Sequence, residues 1–189
     1  VYRDQVGAFY NRLMSLHDSE LVPGGALNSA LDSASIEEDY HRNAPGITYL
    51  DDFLTPESLE SLRRFCLNST IWYEYGYANG YLGAFMEEGF LTPLLYQIAE
   101  ELPQALPSIF EDYKLSYLWA YKYDSKMTGI NLHGDDAAIN VNFWITPDEA
   151  NLDPNTGGLV IWDQEAPADW DFFKMNANYD AMRGFLSEK

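Results

Sequence analysis

The hydrophobic period of this chain changes near residue 115, and that change limits its fold more than any other feature. In the first half, apolar residues recur at helical spacing. From 115 onward they alternate: Leu115, Tyr117, Trp119, Tyr121 and Tyr123 are separated by Ser116, Leu118, Ala120 and Lys122, the period-2 pattern of a strand. Helices followed by a cluster of strands predict an α+β domain, with the N-terminal helices packed on one sheet face. The helix starts are explicit. Thr55-Pro56-Glu57 and Thr92-Pro93 each set a capping hydroxyl before a proline suited to the first helical turn. Leu59, Leu62, Phe65 and Cys66 form the apolar face of the first helix. Leu94, Leu95, Ile98 and Leu102 form that of the second, which is expected to stop near Pro103. Leu106, Ile109 and Phe110 predict a further short helical turn.

Elsewhere the pattern is coarser. Residues 1–20 have helical spacing through Phe9, Leu13 and Leu16, whereas 24–46 read as polar and irregular. Residues 1–45 are therefore expected to form an arm or linker, and 46–189 the main domain. Short strands are expected at 47–50, 130–133, 139–146 and 159–162, with a turn at 124–129 and a polar loop at 147–158. The aromatic, glycine-punctuated stretch 72–85 reads as irregular strands or a loop. The tail, 166–189, returns to helical spacing.

Composition narrows the partners. Thirty acids against 11 Lys and Arg give a formal charge of −19, which repels phosphate backbones and anionic lipid and argues against nucleic-acid or membrane-surface binding. The acids are scattered along the chain, as on a solvated surface. Cys66 is the single cysteine; its place on an apolar helix face marks it as a small core residue rather than a nucleophile. No apolar run approaches the roughly 20 residues of a membrane span. With no signal pattern, disulfide pair or span, a cytoplasmic location is the expectation.

Chemistry concentrates at Leu132-His133-Gly134-Asp135. Two apart on a strand, His133 and Asp135 point to one side, and an imidazole with a carboxylate can hold two neighbouring positions on a metal. The plain alternative is a strand-end His hydrogen-bonded to Asp. The following run has two unlike faces: Val141, Phe143 and Ile145 on one, Asn140, Asn142 and Trp144 on the other. Amides and an indole, in place of charges, suit a small wet pocket. Tyr121 and Tyr123 are placed to add hydroxyls, or simply to pack with their polar tips satisfied.

Several segments together resemble the Fe(II)/2-oxoglutarate-dependent oxygenases, most closely the prolyl-hydroxylase-like bacterial members, some of which follow tetratricopeptide repeats. These segments are Tyr121-Lys122-Tyr123-Asp124-Ser125, Gly129-Ile130-Asn131-Leu132-His133-Gly134-Asp135, the run from Asn140 through Trp144-Ile145-Thr146-Pro147 to Pro154, and Gly157-Gly158-Leu159-Val160-Ile161-Trp162-Asp163. A looser likeness reaches back to Asp51-Asp52-Phe53-Leu54-Thr55-Pro56. The resemblance implies a double-stranded β-helix (a cupin-like jelly roll) and a hydroxylase with Fe(II) on His133, Asp135 and a distal His. It implies 2-oxoglutarate as co-substrate, ascorbate as an optional reductant, and Tyr123, Asn142 and Trp144 lining the co-substrate pocket.

This chain departs from that pattern in one respect. Its histidines are His17, His41 and His133, so none follows His133. His17 and His41 belong to the N-terminal arm, where surface or capping roles are expected. Arg183 and Lys174 fall in the helical tail rather than on a strand, where the family's carboxylate-binding cation lies. The expectation is a jelly roll incomplete at its C-terminus, impaired as a hydroxylase, with open strand edges that invite another chain. Loops 72–90 and 147–157 are expected to frame the entrance for a small-molecule or peptide substrate. The competing reading is a non-catalytic jelly-roll module binding a sugar or peptide; a purely structural domain is a third.

Overall fold

The computed structural model describes residues 15–77, 80–123, 130, 132–152, 155, 158–167 and 169–187, with Asp4 and Gly7 apart from these. Most of the helix expected over 1–20, the turn expected at 124–129 and part of the loop at 147–158 lie outside the described residues. The fold is α+β. Among the described residues, six α-helices accompany one two-stranded antiparallel sheet.

In chain order the elements are α1 (Ser33–Arg42), α2 (Pro56–Asn68), β1 (Tyr81–Phe85), α3 (Pro93–Ala105), α4 (Pro107–Phe110), β2 (Trp119–Tyr123), α5 (Phe172–Ala177) and α6 (Tyr179–Ser187). Helix α2 starts as its sequence predicts: Thr55 Oγ1 accepts from the Ser58 amide at 3.2 Å and Pro56 opens the first turn. Thr92 caps α3 in the same way through the Leu95 amide. Such caps are each worth about 1 kcal/mol. Helix α3 runs through Pro103 instead of stopping there. Proline removes one backbone donor, and near a C-terminal end few bonds remain to be lost; the Leu106 amide still reaches the Leu102 carbonyl at 2.9 Å.

Helix α1 arises where the sequence suggested irregular chain. It has no buried residue, and its support is local. Asp32 caps the Ser35 amide, and Arg42 in the last turn pairs with Glu38 and Asp39.

The buried core joins α2, α3 and β1 to residues 22–27. Val22, Ala26, Leu27, Leu54, Leu62, Phe65, Ile71, Ala84, Leu94 and Ile98 belong to one cluster. The 22–27 stretch is held by polar contacts as well as burial. The Gln97 amide bonds both backbone groups of Val22, and the Glu101 carboxylate accepts from the Ala26 and Leu27 amides. Cys66 is buried in this core, and burial pushes its thiol up to about 11.

Strand β2 lies where the alternation put it, and β1 comes from the glycine-punctuated stretch. Tyr81 faces Tyr123, Gly83 faces Tyr121 and Phe85 faces Trp119. Of the strands expected at 47–50, 130–133, 139–146 and 159–162, none joins a ladder among the described residues. A period of two specifies which side chains share a face, but a strand exists only with a partner backbone. The facing expected for 139–146 holds at Phe143 and Ile145 but not at Val141, which is 41% exposed. Phe143 and Ile145 pack on the core, Phe143 lies 6.1 Å from Phe53 ring to ring, and Arg63 of α2 donates to the Ile145 carbonyl. Among the described residues no helix is long and apolar enough to cross a membrane.

Candidate metal centre

His133 and Asp135 come together on the segment between β2 and the run 139–146. His133 Nε2 stands 3.5 Å from Asp135 Oδ1, with both side chains about one-third exposed. The other carboxylate oxygen, Oδ2, accepts from Asn140 Nδ2 at 2.9 Å. This division fixes the carboxylate plane and leaves Oδ1 turned towards the imidazole. An outer partner of this kind is what orients a ligating carboxylate.

The backbone between the two residues is clamped from a distance. Asn176 of α5 accepts from the Gly134 amide and donates to the Gly134 carbonyl, each at 2.9 Å. Met175, the residue before the clamp, packs closely here: a Cβ on Gly134 would stand 2.0 Å from its Cε, and the flexible methionine end would have to move. So α5 packs a methionine against the turn and bonds it with the adjacent amide.

Tyr77, Tyr81 and Tyr121 form a tyrosine wall on the sheet. Tyr77 stacks on Tyr81 at 4.2 Å between ring centroids, and Tyr121 meets Tyr81 edge-on at 5.4 Å. Gly83, opposite Tyr121 across the sheet, gives the Tyr77 ring its room, because a Cβ there would lie 3.2 Å from that ring. Burial foremost, then Tyr77, Tyr81 and the charge of Asp135, push the Tyr121 hydroxyl far above its ordinary value. Tyr121 therefore stays a neutral hydroxyl within the electrostatic reach of Asp135. Burial also raises Tyr123.

The other residues singled out by sequence are placed less centrally. Tyr123 stands at the end of β2, half exposed, against the rings of Tyr81 and Tyr121. Asn142 and Trp144 lie on the face away from the core, Trp144 61% exposed, and neither makes a hydrogen bond or ring contact among the described residues. Asn140, on that same face, is the one that reaches the carboxylate. Two positioning residues went unread in the sequence. Asn140 carried a signal in the polar face of its run, whereas Asn176 carried none.

His17 and His41 have their own surroundings. The His17 amide donates to Ser69 Oγ, and the His41 ring bonds Ser108 Oγ at 3.0 Å while meeting Tyr40 edge-on. Among the described residues no group of three His, Cys, Asp or Glu side chains converges. Two donors each about 2 Å from one metal and at right angles stand about 3 Å apart. The observed pair is slightly wider, so His133 Nε2 and Asp135 Oδ1 fit two adjacent positions on a metal and supply no third.

An open cleft of about 440 Å³ is lined by Leu132 and Trp162 together with Tyr179, Arg183 and Leu186 of α6; neither His133 nor Asp135 lines it. Arg183 sits over the Tyr179 ring at 4.7 Å. The tail helix thus brings a cation to the residue that precedes His133. No family model matches this chain, and no match is found among the curated proteins or the solved structures.

Proposed function

We propose that this chain carries the metal half-site of an Fe(II)/2-oxoglutarate-dependent hydroxylase, within a double-stranded β-helix to which 130–163 contribute. The observation that carries this reading is the oriented pair: His133 Nε2 lies 3.5 Å from Asp135 Oδ1 while Asn140 holds the other oxygen. His133 and Asp135 would hold the iron, Asn140 and Asn176 would position them, and the tyrosine wall would shield one side from water. Bound iron with 2-oxoglutarate and oxygen supplies C–H hydroxylation coupled to formation of succinate and carbon dioxide; the protein's part is binding, orientation and shielding. Arg183, in the cleft that Leu132 and Trp162 also line, is the cation offered to a carboxylate there.

Anaerobic titration with Co(II), followed by its visible absorption, tests the half-site directly. Co(II) is expected to bind and His133→Ala to abolish the signal. Equal binding by His133→Ala, or none by the wild-type chain, sinks the proposal. Succinate release with Fe(II) and 2-oxoglutarate then reports turnover.

The absence of a converging third ligand among the described residues favours a second reading, a non-catalytic module using the tyrosine wall for a sugar or peptide. It predicts ligand binding that neither Co(II) nor His133→Ala alters.

A further inference from the structure

We infer that the run 159–162 is a docking edge for an extended basic peptide, which adds a strand to it. This inference does not depend on the metal reading. Leu159, Val160, Ile161 and Trp162 are four consecutive large apolar residues, all exposed, with Val160 at 75% and Ile161 at 58%. In extended chain consecutive residues point to opposite sides, so a run with every residue at least 46% exposed is partly open on both faces. Its backbone is equally open: among the described residues, no hydrogen bond is made to an amide or carbonyl of these four. Val and Ile favour extended chain, and extended chain with unmatched backbone groups is the template on which peptides add as strands. Contiguous apolar exposure of this sort marks interaction surfaces.

Charge selects the occupant. Between positions 127 and 173 the sequence has nine carboxylates and not one Lys or Arg, and Asp163 and Glu165 follow the run directly. A second copy of the chain would bring the same nine charges against these, within a total of −19 on each side. A peptide alternating Lys or Arg with aliphatic residues gains on both counts. Its apolar side chains cover Val160 or Ile161, and its cations meet the acidic surround. The exposed indole of Trp162 offers a face for one of those cations. Arg183, which shares the cleft with Trp162, is held over Tyr179.

The test is fluorescence anisotropy of a labelled peptide of about seven residues, the length of an ordinary strand, alternating Lys and Val. Binding is expected, and to weaken at least about tenfold when alternate peptide amides are N-methylated, since that removes ladder donors and leaves the side chains in place. Glu in place of Lys should abolish binding, and raising salt from about 0.05 to about 0.5 M should weaken it. Ile161→Pro in the protein should match the N-methylation loss with its helical circular dichroism unchanged. The inference is overturned if the Lys peptide does not bind, if Lys and Glu peptides bind alike, or if both N-methylation and Ile161→Pro leave affinity intact. Self-association in sedimentation velocity that Ile161→Pro abolishes would make a second copy the occupant, and would overturn it as well.

Discussion

Asn176 holds Gly134 as a neighbouring strand would, its side-chain amide bonding the glycine's amide and carbonyl at 2.9 Å each. The residues on either side of that glycine are His133 and Asp135. A helix 42 positions further along thereby sets the spacing of the candidate ligand pair. Asn176→Ala is expected to lower Co(II) affinity by about 10-fold or more, as loss of outer partners does at other metal sites, while the thermal midpoint changes little. Isothermal titration alongside a melting curve separates the two effects. An unchanged affinity would show that the clamp does not position the pair.

Gly83 makes a second prediction. A methyl group there meets the Phe85 ring at 3.1 Å, and Glu74 Cβ and the Tyr77 ring at 3.2 Å, closer than ordinary contact on three sides. Gly83→Ala should cost about 1–3 kcal/mol, the range for overpacking, and should alter the near-ultraviolet dichroism of the tyrosine wall. Urea melts with that signal as probe check both.

The Glu101 carboxylate supports residues 22–27 in a pH-dependent way. Partial burial pushes its pKa up, but the amides of Leu27 and Ala26 and the side chain of Gln97 outweigh this and hold it below the usual carboxylate value. A carboxyl depressed in the folded state adds stability that is present above its unfolded pKa and lost as pH falls through the folded one. Glu101→Gln should therefore reduce the denaturation midpoint at neutral pH. The gap to the wild-type chain should narrow steadily as pH falls below about 4.5, where the unfolded carboxyl protonates. A gap constant from pH 7 to acid would exclude the role.

Cys66 should be inert in the native state. Burial both shields the thiol and raises it to about 11, so almost no thiolate exists at pH 8. A disulfide reagent such as dithiobisnitrobenzoate should label it only as fast as the chain unfolds, and denaturant should release full labelling. Prompt native labelling would contradict its place in the core.

Legibility in the sequence followed how local each determinant was. Helices α2 and α3 were readable because a capping threonine, a proline and an apolar stripe lie within a few residues of one another. Helix α1 was missed because its support, the Asp32 cap and the Arg42 pairs, needs no apolar stripe. Strand β2 was announced by alternation, and β1 was obscured by Gly80 and Gly83, which are there to admit a turn and the Tyr77 ring.

For the site, sequence brought His133 and Asp135 forward by their spacing, and placed Phe143 and Ile145 of 139–146 on a packing face, although Val141, expected beside them, is exposed. It named Asn142 and Trp144 as lining a co-substrate pocket and did not single out Asn140, which makes the contact to Asp135.

By itself, then, the sequence determined what acts within a few residues: helix starts, strand period, net charge, and the adjacency of an imidazole and a carboxylate. Only the tertiary structure decided what those groups meet. It put Asn176 and Met175 of the tail on Gly134, Tyr121 within reach of Asp135, and Arg183 beside Leu132. It also left 159–162 exposed. Such encounters join residues tens of positions apart, and no local period or propensity carries information about them.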